Sequence, residues 1–133
     1  MTLADENLEN QTPAPVGKDG NILEDLLLWN GEVIPGPCSN LLVRKKCFDS
    51  GIKFDTRLTT IADQNLCVRL ARSYKGKMLN EATWIYRNLK GSMSKSLMVL
   101  EKDSLETYRI YKENGYFETR GFEKKCFSNM YLM

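Results

Sequence analysis

Asp63, in the stretch TTIADQNLCVRL that runs from Thr59, is the residue whose type and place most invite chemistry. It stands one turn ahead of an apolar face at helical spacing, Leu66, Leu70 and Tyr74, with Asn65 and Arg69 close by in sequence. A carboxylate in the first turn of a helix has a fixed direction, and there it can take a proton from a hydroxyl as that hydroxyl attacks an electrophile. The same position also suits an acid with no chemistry, because the helix dipole stabilises it by about 0.3–1 kcal/mol. The stretch by itself supports both readings.

The absence of histidine narrows the alternatives. It excludes Ser-His-Asp and Cys-His nucleophile pairs and H-E-x-x-H zinc sites from this chain. Proton transfer falls to a carboxylate, Tyr, Lys or Cys. Neither a P-loop nor G-x-G-x-x-G occurs, so phosphate cradles of those two kinds are absent. Four cysteines, Cys38, Cys47, Cys67 and Cys126, lie far apart without a C-x-x-C pair and with no secretory leader ahead of them. They are expected to be reduced and mostly buried, in a cytoplasmic protein.

Which elements must position these groups? Residues 1–20 are rich in amides and acids, with Pro13 and Pro15, and predict a loosely ordered acidic tail with little part in the core. Residues 19–31 carry helix signals, with Asp19 or Asn21 as cap and Gly31 as stop. Pro35-Gly36-Pro37 forces a turn, after which residues 40–44 predict a buried strand. A helix capped by Thr59 or Thr60 follows, ending by Gly76. Residues 77–87 alternate as a strand, with Ala82, Trp84 and Tyr86 on one face and Arg87 at its end. Residues 96–114 form an amphipathic helix whose predicted apolar face is Leu97, Leu100, Leu105, Tyr108 and Tyr111, closed by Gly115. A last helix from about Gly121 places Phe122, Cys126, Met130 and Met133 on one side, and that apolar face is still continuing where the sequence stops, which is expected of a truncated extension.

The charge is uneven. Residues 1–32 hold seven acids against Lys18, a net −6, which leaves +8 on the remainder of a chain whose total is +2. A basic body favours anionic partners such as a nucleotide diphosphate, an acidic glycan or an anionic membrane surface. Its Lys and Arg are scattered, with Arg44-Lys45-Lys46 the longest block, as on an ordinary solvated surface. The longest apolar run, residues 26–29, is far short of the roughly 20 residues that cross a bilayer.

The order of the motifs is more specific than any one of them: PGPCSNLLVRKKCF, GIKFDTRL, IADQNLCVRLA, TWIYR and SMS, in that succession. Over about residues 30–100 this resembles the C-terminal half of family 2 glycosyltransferases, nucleotide-sugar-dependent enzymes with a GT-A fold. The resemblance implies an α/β fold, here a partial GT-A-like (Rossmann-like) domain: its acceptor-side half over residues 21–100, then a helical extension over 101–133. It implies that Asp63, the second position of the family's acid-Asp pair, is the general base of an inverting transfer to a hydroxyl of a glycan or lipid-linked acceptor. It places Pro35, Gly36, Pro37, Cys38 and Ser39 in a loop near donor sugar and acceptor, Arg87 within reach of the diphosphate, and Ser92 and Ser94 in a segment over the donor. The first position of the pair is Ala62, so a single carboxylate is available, and Leu89 stands near the place where many members carry a His.

A divalent metal, Mg or Mn, is expected for the complete enzyme, but its D-x-D motif occurs nowhere in the chain; the nearest, residues 19–21, reads DGN. No metal ligands are assigned here. The partners implied are a nucleotide-sugar donor and a glycan or lipid-linked acceptor at the inner face of the membrane, with peripheral membrane association, self-association through apolar surface meant for missing strands, and no nucleic acid. The alternative is a non-catalytic α/β interaction module whose basic body binds an anionic partner.

Overall fold

A computed structural model describes residues 1–13, 17–30, 33–34, 39–90 and 96–131. Ile22, Leu26 and Leu27 recur at helical spacing and are buried on α1 (Leu23–Leu27), where they meet Cys67, Val68 and Ala71 of α3 (Ala62–Ala71). Between them in sequence lies a single short helix, α2 (Lys45–Asp49), which buries Cys47. α1 ends as Trp29 turns left-handed, with φ +57°, a place that more often takes glycine. The N-cap of α1 is Ile22 rather than Asn21 or Asp19: the Asn21 side chain, one residue earlier, accepts a bond from Leu23 N–H at 3.3 Å, whereas Asp19 reaches away to Met78 N–H at 2.6 Å and to Lys77. Gly31 lies outside the described residues.

The long helix α4 (Leu97–Glu113) and α5 (Arg120–Tyr131) complete the core with Ile110, Tyr111 and Cys126. α4 ends in a Schellman turn: Tyr116 N–H donates to Tyr111 C=O at 3.0 Å, Gly115 N–H to Lys112 C=O at 3.2 Å, and Gly115 has φ +64°. The Tyr111 and Tyr116 rings, 5.3 Å apart, supply the apolar contact of that motif. α5 is tied to the end of α1 by Asn129, whose amide donates to Leu28 C=O at 2.9 Å.

A three-stranded mixed sheet lies beside the helices, in the order β2-β1-β3, making this a small α/β fold with five helices among the described residues. β1 (Thr2–Ala4) is central, antiparallel to β2 (Thr12–Pro13) and parallel to β3 (Ile85–Arg87), with Leu3 opposite Tyr86 and Ala4 opposite Arg87. Residues 1–20, expected to be a loose tail, thus supply two strands and a buried Ala4. The physical reason is a partner about eighty residues away, which no local pattern reveals. The strand expected over residues 77–87 forms at its end alone, and it does end at Arg87.

One expectation fails outright and another in part. Residues 41–44 are irregular rather than a buried strand, and Leu42 is 95% exposed. Among the described residues no strand pairs with them, and α2 starts at Lys45 instead. The buried face of α4 also differs from the expected one in part: Leu97 is 80% exposed and Leu100, Leu105 and Tyr108 are half-buried, Tyr111 is buried as expected, and Asp103, Ser104, Thr107 and Ile110 are buried beside it. That face is turned inward by one carboxylate. Oδ2 of Asp103, whose residue is 1% exposed, accepts hydrogen bonds from Thr59 N–H (2.7 Å), Thr60 N–H (2.6 Å), Ile61 N–H (3.3 Å) and the Thr60 hydroxyl (3.1 Å). Asp103, not Thr59 or Thr60, therefore holds the backbone that leads into α3, taking the N–H of the N-cap residue Ile61 and of the two residues before it. Burial pushes the Asp103 carboxyl up, but these donors outweigh it and hold the group below the usual carboxylate range.

Because its folded pKa lies below the unfolded value, Asp103 stabilises the protein fully above the ordinary carboxylate pKa of about 3.9, and that contribution is lost as pH falls through the folded value. Asp103→Asn is expected to cost about 1–3 kcal/mol at pH 7 and to flatten the fall in stability below about pH 4, as read by urea unfolding across pH. In the same assay Leu26→Ala should cost about 2–5 kcal/mol. Leu42→Ser should change stability by less than about 0.5 kcal/mol.

Candidate functional site

α3 carries Asp63 in its first turn, half-buried, one turn from the backbone held by Asp103. The Asp63 carboxylate accepts a bond from Gln64 N–H at 2.7 Å, and the Gln64 amide donates to Leu26 C=O at 3.1 Å, so the residue after Asp63 is fastened to α1. Ile61 C=O accepts from Asn65 N–H at 3.0 Å, which opens the helix. Asp63 is thus held by backbone fixed at both sides, with one edge of its carboxylate turned to its own helix. Arg69, the neighbour by sequence, is used elsewhere: it donates to Lys53 C=O at 2.7 Å and holds the loop before Asp55.

Arg87 ends β3 and is exposed, fixed along the backbone by the Ala4 pairing and by Asn88 N–H donating to Ala4 C=O at 2.9 Å. It makes no ion pair among the described residues. A free guanidinium at a strand end can bind phosphate oxygens in two-pronged fashion. Asp63 and Arg87 share neither a hydrogen bond nor an ion pair.

Of the loop at residues 35–39, Pro35, Gly36, Pro37 and Cys38 lie outside the described residues, as do Ser92 and Ser94. Ser39 is exposed in a turn with Asn40. Asn40 accepts a hydrogen bond from the Trp84 indole N–H at 2.9 Å, which joins the end of that loop to the strand leading into Arg87. Trp84 in turn meets Tyr86 edge to face at 6.1 Å, as their shared strand face predicts. Asn40 and Asp103 are the positioning residues that sequence reasoning missed. The Asp103 pairing spans more than forty residues and carries no local signal.

The surface of the described residues includes two open grooves. The larger, about 410 Å³, is lined by Arg57, Lys102, Leu105, Glu106 and Arg109. The smaller, about 180 Å³, is lined by Asp55, Arg57, Arg69, Ile110, Asn114 and Tyr116. Asp63 and Arg87 line neither. Arg57 is shared among Asp55 (2.9 Å), Glu106 (3.2 Å) and Glu113 (3.8 Å), which raises its pKa, while Arg57 holds the Asp55 carboxyl below its usual range. The grooves are thus bordered by charge that is largely matched within the chain.

A divalent metal does not fit the residues present. No three His, Cys, Asp or Glu side chains come together among the described residues. Asp19, Asp55 and Asp103 are each bound to cationic or N–H donors already. Cys47, Cys67 and Cys126 are buried and form no disulfide, and burial pushes the Cys126 thiol up to about 11, away from metal-binding thiolate. No helix among the described residues is long and apolar enough to cross a membrane.

Comparison of the chain with protein-family models, with curated proteins and with solved structures found no match.

If Asp63 serves chemistry rather than the fold, removing its charge should leave the chain standing. Asp63→Asn is expected to change the unfolding free energy by less than about 1 kcal/mol, the scale of a helix-dipole contribution. A larger loss in urea titration at pH 7 would make Asp63 a structural cap.

Proposed function

We propose that the chain is the acceptor-side half of an inverting, nucleotide-sugar-dependent glycosyltransferase with a GT-A-like fold, and that Asp63 is its general base. The observation that carries the reading is the ordered set of five motifs, with Asp63 at the family's base position. Its support in the fold is a carboxylate set at a helix start whose backbone is held from α1 and α4. In the step proposed, the acceptor hydroxyl gives its proton to Asp63 as its oxygen bonds to the anomeric carbon. The bond from that carbon to the nucleotide diphosphate breaks on the opposite face. Arg87, exposed and without an ion pair among the described residues, takes the phosphate oxygens. The loop at residues 35–39 borders donor sugar and acceptor, and Ser92 and Ser94 belong to the cover over the donor.

On this reading the groups for nucleotide and metal belong to another half, which carries the D-x-D motif, and the complete enzyme works in the cytoplasm at the inner face of the membrane. A non-catalytic module is the second reading, favoured by one observation: the larger groove, with Arg57, Lys102 and Arg109, lies apart from Asp63. The two separate by assay. The 133-residue chain alone should transfer no sugar. In a longer chain carrying both halves, Asp63→Asn should lower turnover roughly 10²–10⁴-fold with donor binding near normal, because the base is lost and the donor contacts are not. Unchanged turnover in that variant would remove Asp63 from the mechanism.

A further inference from the structure

The sheet is open on one side. β3 lies at its edge with β1 on one flank only, and the opposite edge is β2, two residues long and ending in Pro13, which has no N–H to offer. The bonds to β1 fix which way the backbone of β3 faces. Trp84 C=O accepts from Thr2 N–H at 3.0 Å and Asn88 N–H donates to Ala4 C=O at 2.9 Å, so the even-numbered residues turn their backbone groups toward β1. Direction alternates along a strand, and Ile85 and Arg87 therefore turn theirs outward, where no strand among the described residues takes them.

Ile85 and Arg87 also share one face of the strand, and the exposed segment before β3 adds Thr83 and Glu81 to the same row. All four are exposed. Glu81 and Arg87 form no ion pair among the described residues. They carry opposite charge and stand three residues to either side of Trp84, which makes the edge complementary to itself. When two copies pair antiparallel about a two-fold axis at Trp84, Ile85 meets the partner's Thr83 and Arg87 meets the partner's Glu81, each contact occurring twice. Centring the pair on Tyr86 instead sets Arg87 opposite the partner's Ile85 and matches neither charge.

We propose that a second copy of the chain adds to the β3 edge, antiparallel and centred on Trp84, so that the two sheets become one. Main-chain bonds from the outward groups of β3 hold the copies together, and the two Glu81–Arg87 pairs select the register. The contact is small, so the dimer forms as concentration rises. The assignment is independent of the role of Asp63. In the dimer the Arg87 guanidinium is engaged by a carboxylate and withdrawn from the phosphate proposed for it above.

Sedimentation equilibrium of the 133-residue chain tests this, over a series reaching about 1 mM, where even a contact of about millimolar Kd is half formed. The native chain should pass from one chain mass to two, with the Ile85 and Arg87 amides gaining protection from hydrogen exchange as it does. Glu81→Arg and Arg87→Glu should each weaken self-association roughly tenfold or more, because like charges then face each other twice. Mixed together, those two variants should pair with one another about as well as the native chain does with itself. Ile85→Pro removes an outward N–H and leaves the β1 ladder intact, and it should remain a monomer with an unchanged circular dichroism spectrum. A native chain that stays monomeric throughout the series would overturn the proposal. So would association that the two charge reversals leave unchanged, or that their mixture fails to restore.

Discussion

One buried carboxylate holds the architecture together. Asp103 reaches from α4 to the three backbone N–H groups that lead into α3, and the Thr60 hydroxyl joins them. α3 is the helix that packs on α1 and carries both the core residues Cys67 and Val68 and the candidate base Asp63. No side chain of its own approach caps it. Without Asp103, the backbone donors at residues 59–61 would be left without that partner, at a cost comparable to losing a charged hydrogen bond.

The same constraint bears on which face of α4 is buried. Amphipathicity predicts that both Leu97 and Tyr111 face inward, yet with Asp103 turned to residues 59–61 the first turn of α4 is exposed, and Thr107 joins Tyr111 among the buried residues. Charge follows a related logic. The acidic front end and the basic body meet within the chain at Lys77 with Asp19 and at Lys90 with Glu6, 3.7 Å apart. These are exposed pairs, screened by solvent and of small energetic weight. They do show that part of the body's positive charge faces its own N-terminal segment rather than a partner.

What was legible in the sequence was local. The helix at residues 97–113 with Gly115 as its stop, the helix containing Cys126 and Met130, the helix opened near Asp63 and the end of the strand at Arg87 all follow from periodicity and capping within a few residues. What was hidden was distant. The central place of β1 needs β3, the backbone leading into α3 needs Asp103, and the turn at Ser39 and Asn40 needs Trp84. Residues 41–44 show the converse, since an apolar run predicts a strand but becomes one only where another strand lies alongside. For the site, the position of Asp63 and the exposure of Arg87 could be read from the chain, whereas the groups that fix Asp63 could not.

The account rests on Asp103 fixing the backbone on which Asp63 stands, and amide hydrogen exchange at Thr59, Thr60 and Ile61 examines that directly. In the native chain at neutral pH these amides should exchange as slowly as the core of α3, and Asp103→Asn should release all three together. Exchange in the native chain as fast as that of an exposed loop, or unchanged protection in the variant, would contradict it.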